Sequence, residues 1–266
     1  MLEKIVRALA MTSFASLAML GTEVPTAAQT TPTTYRVMAP IEQYLMADRS
    51  AEISLARTAA PESISRDATV MVLGPHGFET ASKGRNGFAC LVARSWTSAP
   101  DADFWNPKVR VPMCFNAASV RTYLPIYFKK TELALAGMSK TQIKEDTSSA
   151  IEKGQLPAIE LGAMSYMLSK YGFGGDAAPH WPPHVMFYFP KTEAAAWGAN
   201  LPGSPVEAYT DPAEHRTEFV VVVQRWSDGT DGEWVKTITR TYDIPKMHDE
   251  RINAGSPAAS PHHMHS

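Results

Sequence analysis

Ala68-Thr-Val-Met-Val-Leu-Gly-Pro-His-Gly-Phe-Glu-Thr-Ala-Ser-Lys-Gly-Arg-Asn-Gly-Phe-Ala-Cys-Leu-Val-Ala-Arg-Ser95 holds three β-rich runs separated by two glycine turns. Ala68 to Leu73 ends at Gly74-Pro75-His76-Gly77, and Phe78 to Lys83 and Phe88 to Ser95 flank Gly84-Arg85-Asn86-Gly87. Asn-Gly between apolar runs is the strongest short-range hairpin signal. The three runs are therefore expected to form an antiparallel meander.

Upstream, Gln29 to Ala39 is rich in Thr and Pro and reads as a flexible leader. Pro40 suits the first turn of a helix over Ile41 to about Ala59, with a break at Arg49-Ser50. Downstream, Pro100 to Pro112 reads as a long surface connection. Asn116 is an N-cap for a helix over 117–136 that Pro125 must kink or divide, with Gly137 as its end. Ser139 and Gln142 form a capping box that opens a second helix ending near Gly154. Strands then return over 160–169, 184–189, 207–209 and 217–225. Phe219 to Val223 is apolar at successive positions, which calls for cover on both faces and a central place in the sheet. The turn 226–233 leads to a last strand over 234–241. Strands grouped apart from helices predict an α+β fold, with a largely antiparallel sheet of about six to eight strands, an N-terminal helix and a central helical pair. One domain is expected over 40–244, followed by a disordered, His-containing tail over 245–266.

The first 28 residues carry an address. A short basic start with Lys4 and Arg7 precedes the apolar run Ala8 to Leu20, and Thr26-Ala27-Ala28 is a small-residue site before Gln29. That run is shorter than the ~20 residues a membrane-spanning helix requires, so cleavage near Ala28 and a secreted or periplasmic location are expected. No other stretch is long and apolar enough to predict an integral membrane span. In such a compartment the two cysteines, Cys90 and Cys114, point to one disulfide that clamps a strand end to the start of a helix, closing a loop worth about 3 kcal/mol. Two buried free thiols are the alternative reading. The net charge of -2, with 20% charged residues and no basic run, argues against nucleic acid as a partner.

Four segments carry a resemblance: Gly87-Phe-Ala-Cys-Leu-Val-Ala-Arg-Ser-Trp96, Phe104-Trp-Asn-Pro107, His180-Trp-Pro-Pro-His-Val-Met-Phe187 and Trp197-Gly-Ala-Asn-Leu-Pro-Gly-Ser-Pro205. They resemble stretches of a family of secreted bacterial proteins with no assigned activity, over about residues 66–235. The resemblance implies compartment and a single domain, and it carries no catalytic residue across.

The candidate site lies around Asp176, His180 and His184. Strand alternation sends Val185, Phe187 and Phe189 to one face, read as the core, and His184, Met186 and Tyr188 to the other. With 160–169 and 184–189 as a hairpin, the second face lines a pocket with Tyr166 and Ser165 or Met164. Lys170 to Pro183, whose glycines read as a flexible, lid-like loop, would lie over the open end. Three readings stand here. In the first, the histidines pack against Trp181 and bond loop carbonyls. His180, His184 and Asp176, with His76 from another glycine-rich loop, are ligand types that suit a transition metal, although Pro182-Pro183 forbids the helix on which His-x-x-x-His converges. Alternatively His184 or His180 acts as an acid or base beside Tyr188 or Asp176. His262-His263-Met264-His265 reads as a solvated tail with chance histidines, with a copper- or nickel-capturing cluster as the alternative. Gly172-Phe-Gly-Gly-Asp-Ala177 formally matches a dinucleotide loop, but the prolines that follow forbid the helix it needs. The common metalloprotease, esterase, penicillin-recognising, c-type haem and phosphate-loop motifs are missing. The expectation is a binding protein for a small ligand or metal at 170–188, against a His-centred hydrolase or isomerase and a non-catalytic envelope protein.

Overall fold

The computed structural model describes residues 35–98 and 101–232. It is an α+β fold. After a 3-10 turn at Ile41–Gln43 come α1 (Arg49–Arg57), α2 (Glu62–Ser65), β1 (Thr69–Gly74), β2 (Gly77–Ser82), β3 (Ala89–Ala93), α3 (Ser95–Ser98) and β4 (Val111–Phe115). There follow α4 (Ala117–Thr122), α5 (Leu124–Leu135), α6 (Lys140–Glu152), β5 (Met164–Met167), β6 (His184–Pro190), β7 (Val206–Asp211) and β8 (Arg216–Val222). The eight strands form one sheet in the order β2-β1-β3-β4-β5-β6-β8-β7, antiparallel except for β1 and β3.

The helical boundaries follow their local chemistry. Asn116 accepts from Ser119 N, Pro125 lies in the first turn of α5 and divides it from α4, and the Ser139/Gln142 box opens α6. The expected helix over 41–59 is instead two pieces, because the Asp48 carboxylate accepts from Ser50 N and starts α1 afresh. Tyr35, Met38 and Ala39, placed in the leader by sequence, pack against a cluster built on Tyr44, Trp96 and Leu133.

The meander is corrected. Gly74 to Gly77 turns β1 into β2 as expected, but Asn86-Gly87 is not a hairpin turn, because β3 lies on the far side of β1 and runs parallel to it. The chain crosses the start of β1 so closely that a Cβ on Gly84 would fall 2.2 Å from Thr69 N. Asn86 serves this crossing, accepting from Phe88 N and donating to Ile64 O.

The stretch 100–112 is not a surface connection throughout: Phe104, Trp105 and Asn106 are buried, and β4 begins at Val111. Pro112 hid this strand, yet it costs no ladder bond to β3. Cys90 and Cys114 face each other with Cα atoms 4.0 Å apart, the spacing of a pair without mutual hydrogen bonds, and Val92 and Pro112, two residues on, repeat that class. The Cys90–Cys114 disulfide therefore joins two central strands rather than a strand end and a helix start.

α1 covers one face of β1, β3 and β4, against Val70, Cys90 and Val92. α4 and α5 cover the other, against Leu91, Met113 and Phe115. Farther along the sheet, Phe187, Phe189 and Phe219 pack with Ala199 and Ala208 on the first face. The second face over β6, β8 and β7 is covered in part: Met186, Tyr188 and Val220 join the main core cluster, and the rest borders a cleft. The signal segment, residues 29–34 of the leader, the strand over 234–241 and the tail lie outside the described residues.

Candidate functional site

A cleft of ≈ 700 Å³ opens over this partly covered face. Register dictates its floor: His184, Met186 and Tyr188 on β6 stand beside Val222, Val220 and Glu218 on β8, and Glu207 and Tyr209 on β7 complete the row. Tyr123, Tyr127 and Lys130 of α4–α5 form one wall, and Trp96 and Phe104 another. Gly174, Ala178, His180 and Trp181 close the third side.

The expected hairpin is present, with Met167 opposite His184, and alternation along β6 is as expected. The sides are exchanged, however. His184, Met186 and Tyr188 are the more buried set, and Met186 and Tyr188 belong to the main core cluster, whereas Val185, Phe187 and Phe189 are only partly buried. A strand inside a sheet covered on both faces has no wet side from which the core face can be told. Ser165 joins the cleft side through its hydroxyl, 2.6 Å from the Tyr188 hydroxyl, while Tyr166 points to the opposite face.

A chain of buried charges crosses the floor. Lys130 donates to Glu214 Oε1, Arg216 Nε donates to Glu214 Oε2 at 2.6 Å, and Arg216 Nη1 donates to Glu218 Oε2 at 2.7 Å. The Arg216 guanidinium also lies 4.9 Å from the ring centre of Tyr123 and 5.8 Å from that of Tyr188. Burial pushes the Glu214 carboxyl up, but Arg216 and Lys130 outweigh it and hold the group at about 2. Glu218 goes the other way: burial and the nearby Glu214 raise it above the usual carboxylate range despite Arg216. Burial also raises Tyr123, Tyr127 and Tyr188, so all three remain neutral phenols near pH 7.

The residues singled out by sequence separate. His184 is 7% exposed, and its Nδ1 lies 2.7 Å from the Pro182 carbonyl; Nδ1 therefore carries the proton and donates it. Burial lowers its pKa, leaving a neutral ring at pH 7. His180 is exposed at the cleft wall. Asp176 is turned away and accepts from the Tyr35 hydroxyl at 2.7 Å, with Lys108 Nζ at 3.8 Å. His76 is exposed in the β1–β2 turn and does not line the cleft. Tyr188 is bonded to Ser165. No group of three His, Cys, Asp or Glu side chains suited to a metal is present among the described residues, so His180, His184, Asp176 and His76 do not form one ligand set. Nor, among the described residues, does a hydrogen bond join His184 to Tyr188 or Asp176: His184 Nδ1 donates to Pro182 O, Tyr188 pairs with Ser165 and Asp176 with Tyr35.

The loop over 170–183 is pinned, in contrast to the lid expected from its glycines. Phe173 and Arg110 exchange backbone hydrogen bonds. Asp103, 2% exposed, accepts from Asp176 N at 3.1 Å and Ala177 N at 3.0 Å. Burial opposes the charge, but Asn106 and these two amides keep Asp103 below the usual carboxylate range. The glycines permit close approach: a Cβ on Gly172 would lie 2.2 Å from the Trp181 ring, and one on Gly175, at φ +137°, 2.6 Å from Asp103 Oδ2.

Sequence reading missed Tyr123, Lys130, Glu214, Arg216 and Glu218. A signal for part of this was present, since Arg216 and Glu218 continue the alternation into an otherwise apolar strand and place two charges on one face. No protein-family model, curated protein or solved structure matches the chain.

Proposed function

We propose that this is a secreted or periplasmic protein that binds a small molecule in the cleft over β6, β8 and β7. The observation that carries the reading is a ≈ 700 Å³ space lined by aromatic rings together with a few charged groups, the usual make-up and size of a ligand site. The compartment is supported by the basic start, apolar run and small-residue site of the first 28 residues, and by the Cys90–Cys114 disulfide. No helix among the described residues is long and apolar enough to cross a membrane. The resemblance to secreted bacterial proteins belongs to the same proposal. Binding without turnover is preferred over acid–base catalysis because, among the described residues, no side chain bonds His184 to orient or recharge it.

Trp96 and Trp181 line the cleft and supply the assay. A thermal-shift screen of small molecules, followed by tryptophan fluorescence titration of the hits, should give saturable binding and a rise in Tm with ligand concentration. Val220→Trp fills the floor from β8 and should abolish both signals while the fold is retained by circular dichroism. Binding that survives Val220→Trp, or the lack of any saturable ligand, would overturn the proposal.

A further inference from the structure

Trp181 places a polar demand on the ligand. The residue lines the cleft and packs on the main core cluster, and its Nε1 is buried with no hydrogen-bond partner among the described residues. An indole nitrogen donates and never accepts, so only an acceptor answers it. A buried donor left unmet is costly, and such groups are rare in folded proteins.

The loop that carries Trp181 cannot relieve this. A Cβ on Gly172 would lie 2.2 Å from Trp181 Cη2, and one on Gly174 3.4 Å from Cε3 and Cζ3, so the six-membered end of the indole is lodged against two glycines. Asp103 and the backbone pair between Phe173 and Arg110 hold the same loop in place. Turning the ring out to hydrate its N–H would give up this packing, whereas an acceptor brought into the cleft leaves it intact.

The rest of the lining decides the charge. Lys130 is held by Glu214, Lys144 Nζ lies 2.9 Å from Asp101 Oδ1, and Arg216 is shared by Glu214 and Glu218. Arg216 also occupies the rings of Tyr123 and Tyr188, and His184 spends its one proton on the Pro182 carbonyl. A carboxylate would find no unpaired lysine or arginine among the described residues of this lining and would meet Glu207 and Glu218. An ammonium would leave the Trp181 donor unanswered. Tyr127, Met186 and Val220 supply aromatic and aliphatic surface for the remainder of the ligand.

We infer that the cleft takes an uncharged molecule with a carbonyl-type oxygen, which accepts from Trp181 Nε1 while its apolar or aromatic body lies along Tyr127, Met186 and Val220. The inference rests on the cleft being the ligand site, and it adds the polar group by which that site recognises its ligand.

A set of probes on one phenyl frame tests it on the full-length chain at pH 7. Acetophenone carries the oxygen, α-methylstyrene replaces it with a methylene of the same shape, and benzoate and benzamidine carry a negative and a positive charge. Calorimetry should show acetophenone binding about tenfold more tightly than α-methylstyrene, with both charged probes weaker than acetophenone. The Trp181 indole N–H signal, assigned by through-bond correlation in isotope-labelled wild-type protein, should move downfield with acetophenone and hardly shift with α-methylstyrene. Trp181→Phe keeps an aromatic ring and removes the donor; it should weaken acetophenone by about tenfold and leave α-methylstyrene within about threefold. The wild-type indole signal decides the matter even where that variant folds poorly. α-Methylstyrene or a charged probe binding as tightly as acetophenone, or an indole signal unmoved by bound acetophenone, would overturn the carbonyl and leave the binding cleft standing. Failure of every probe would also overturn the carbonyl, and together with a ligand screen in which Val220→Trp matches wild type it would overturn the cleft as well.

Discussion

Replacing Asp103 with alanine should free one wall of the cleft without unfolding the sheet. The carboxylate accepts from Asp176 N at 3.1 Å and Ala177 N at 3.0 Å, and Asn106 Nδ2 donates to it at 2.8 Å from the same buried segment. Hydrogen bonds to a charged group contribute about 1.5–3 kcal/mol each, and water can replace part of the two loop bonds once the loop lifts, which leaves about 2–4 kcal/mol of local stability. Amide hydrogen exchange at Asp176 and Ala177 should then accelerate by about 30- to 700-fold at pH 7, since each 1.4 kcal/mol is a factor of ten. Asp103→Asn keeps an acceptor and loses the charge, so about half of that energy should go. The native pKa lies below the usual carboxylate value, so the contribution is complete above about pH 4 and fades as pH falls through the native value. Amides of β3 and β4 serve as internal controls. Exchange at Asp176 and Ala177 within threefold of wild type, or equal acceleration in β3 and β4, would refute the assignment of Asp103 as an anchor of this loop.

The other predictions concern stability. Arg94 and Glu52 form an ion pair at 2.8 Å with 0% and 2% exposure, so Glu52→Ala, which strands the guanidinium, should cost about 3–5 kcal/mol in urea denaturation; a loss under about 1 kcal/mol would contradict an uncompensated charge. Reducing Cys90–Cys114, 24 residues apart, should lower the unfolding free energy by about 3 kcal/mol, and an unchanged urea midpoint in reductant would argue against the bond. Glu214, held at about 2 in the native state against about 4.3 unfolded, stabilises fully above pH 4.5 and loses its contribution as pH falls toward 2. The stability gap between wild type and Glu214→Gln should therefore be on the order of a few kcal/mol at pH 7 and close on acidification; a gap independent of pH would remove the ion-pair explanation. Glu218, whose carboxyl is raised by burial, contributes with the opposite sign as pH rises above its unfolded value, which is why the difference between variants, rather than the raw pH profile, isolates Glu214.

Features governed by neighbours in the chain were legible. Asn116, Pro125, Gly137 and the Ser139/Gln142 box each act within one helical turn, and the structure follows them closely. Errors arose where a distant partner decides. Asn86-Gly87 looks like a hairpin turn, but β1 already has β2 on one edge and accepts β3 on the other. Pro112 looks like a strand breaker until β3 is seen opposite it in a register that never asks for its amide. The site was legible by halves for the same reason. His184, Met186 and Tyr188 follow from alternation along one strand, whereas the meeting of Lys130, Glu214 and Arg216 depends on how α5 packs over β8. The spacing of Asp176, His180 and His184 suggested convergence, but it carried no information about Asp103, whose hold on the loop backbone helps decide where that loop lies.

The alternation along β6 and β8 divides labour within single strands. Glu218 and Val220 serve the cleft, while Phe219 between them serves the cluster with Phe187 and Phe189 on the reverse side. Substitutions at 186, 218, 220 and 222 can thus reshape the cleft as a separable set, leaving the reverse-side packing to 187, 189 and 219. A one-residue deletion in the turn over 212–215 would do the reverse, exchanging the two sets along β8 and presenting Thr217 and Phe219 to the cleft. Point substitution can therefore change the lining of the cleft, while the length of that turn keeps each set on its own side.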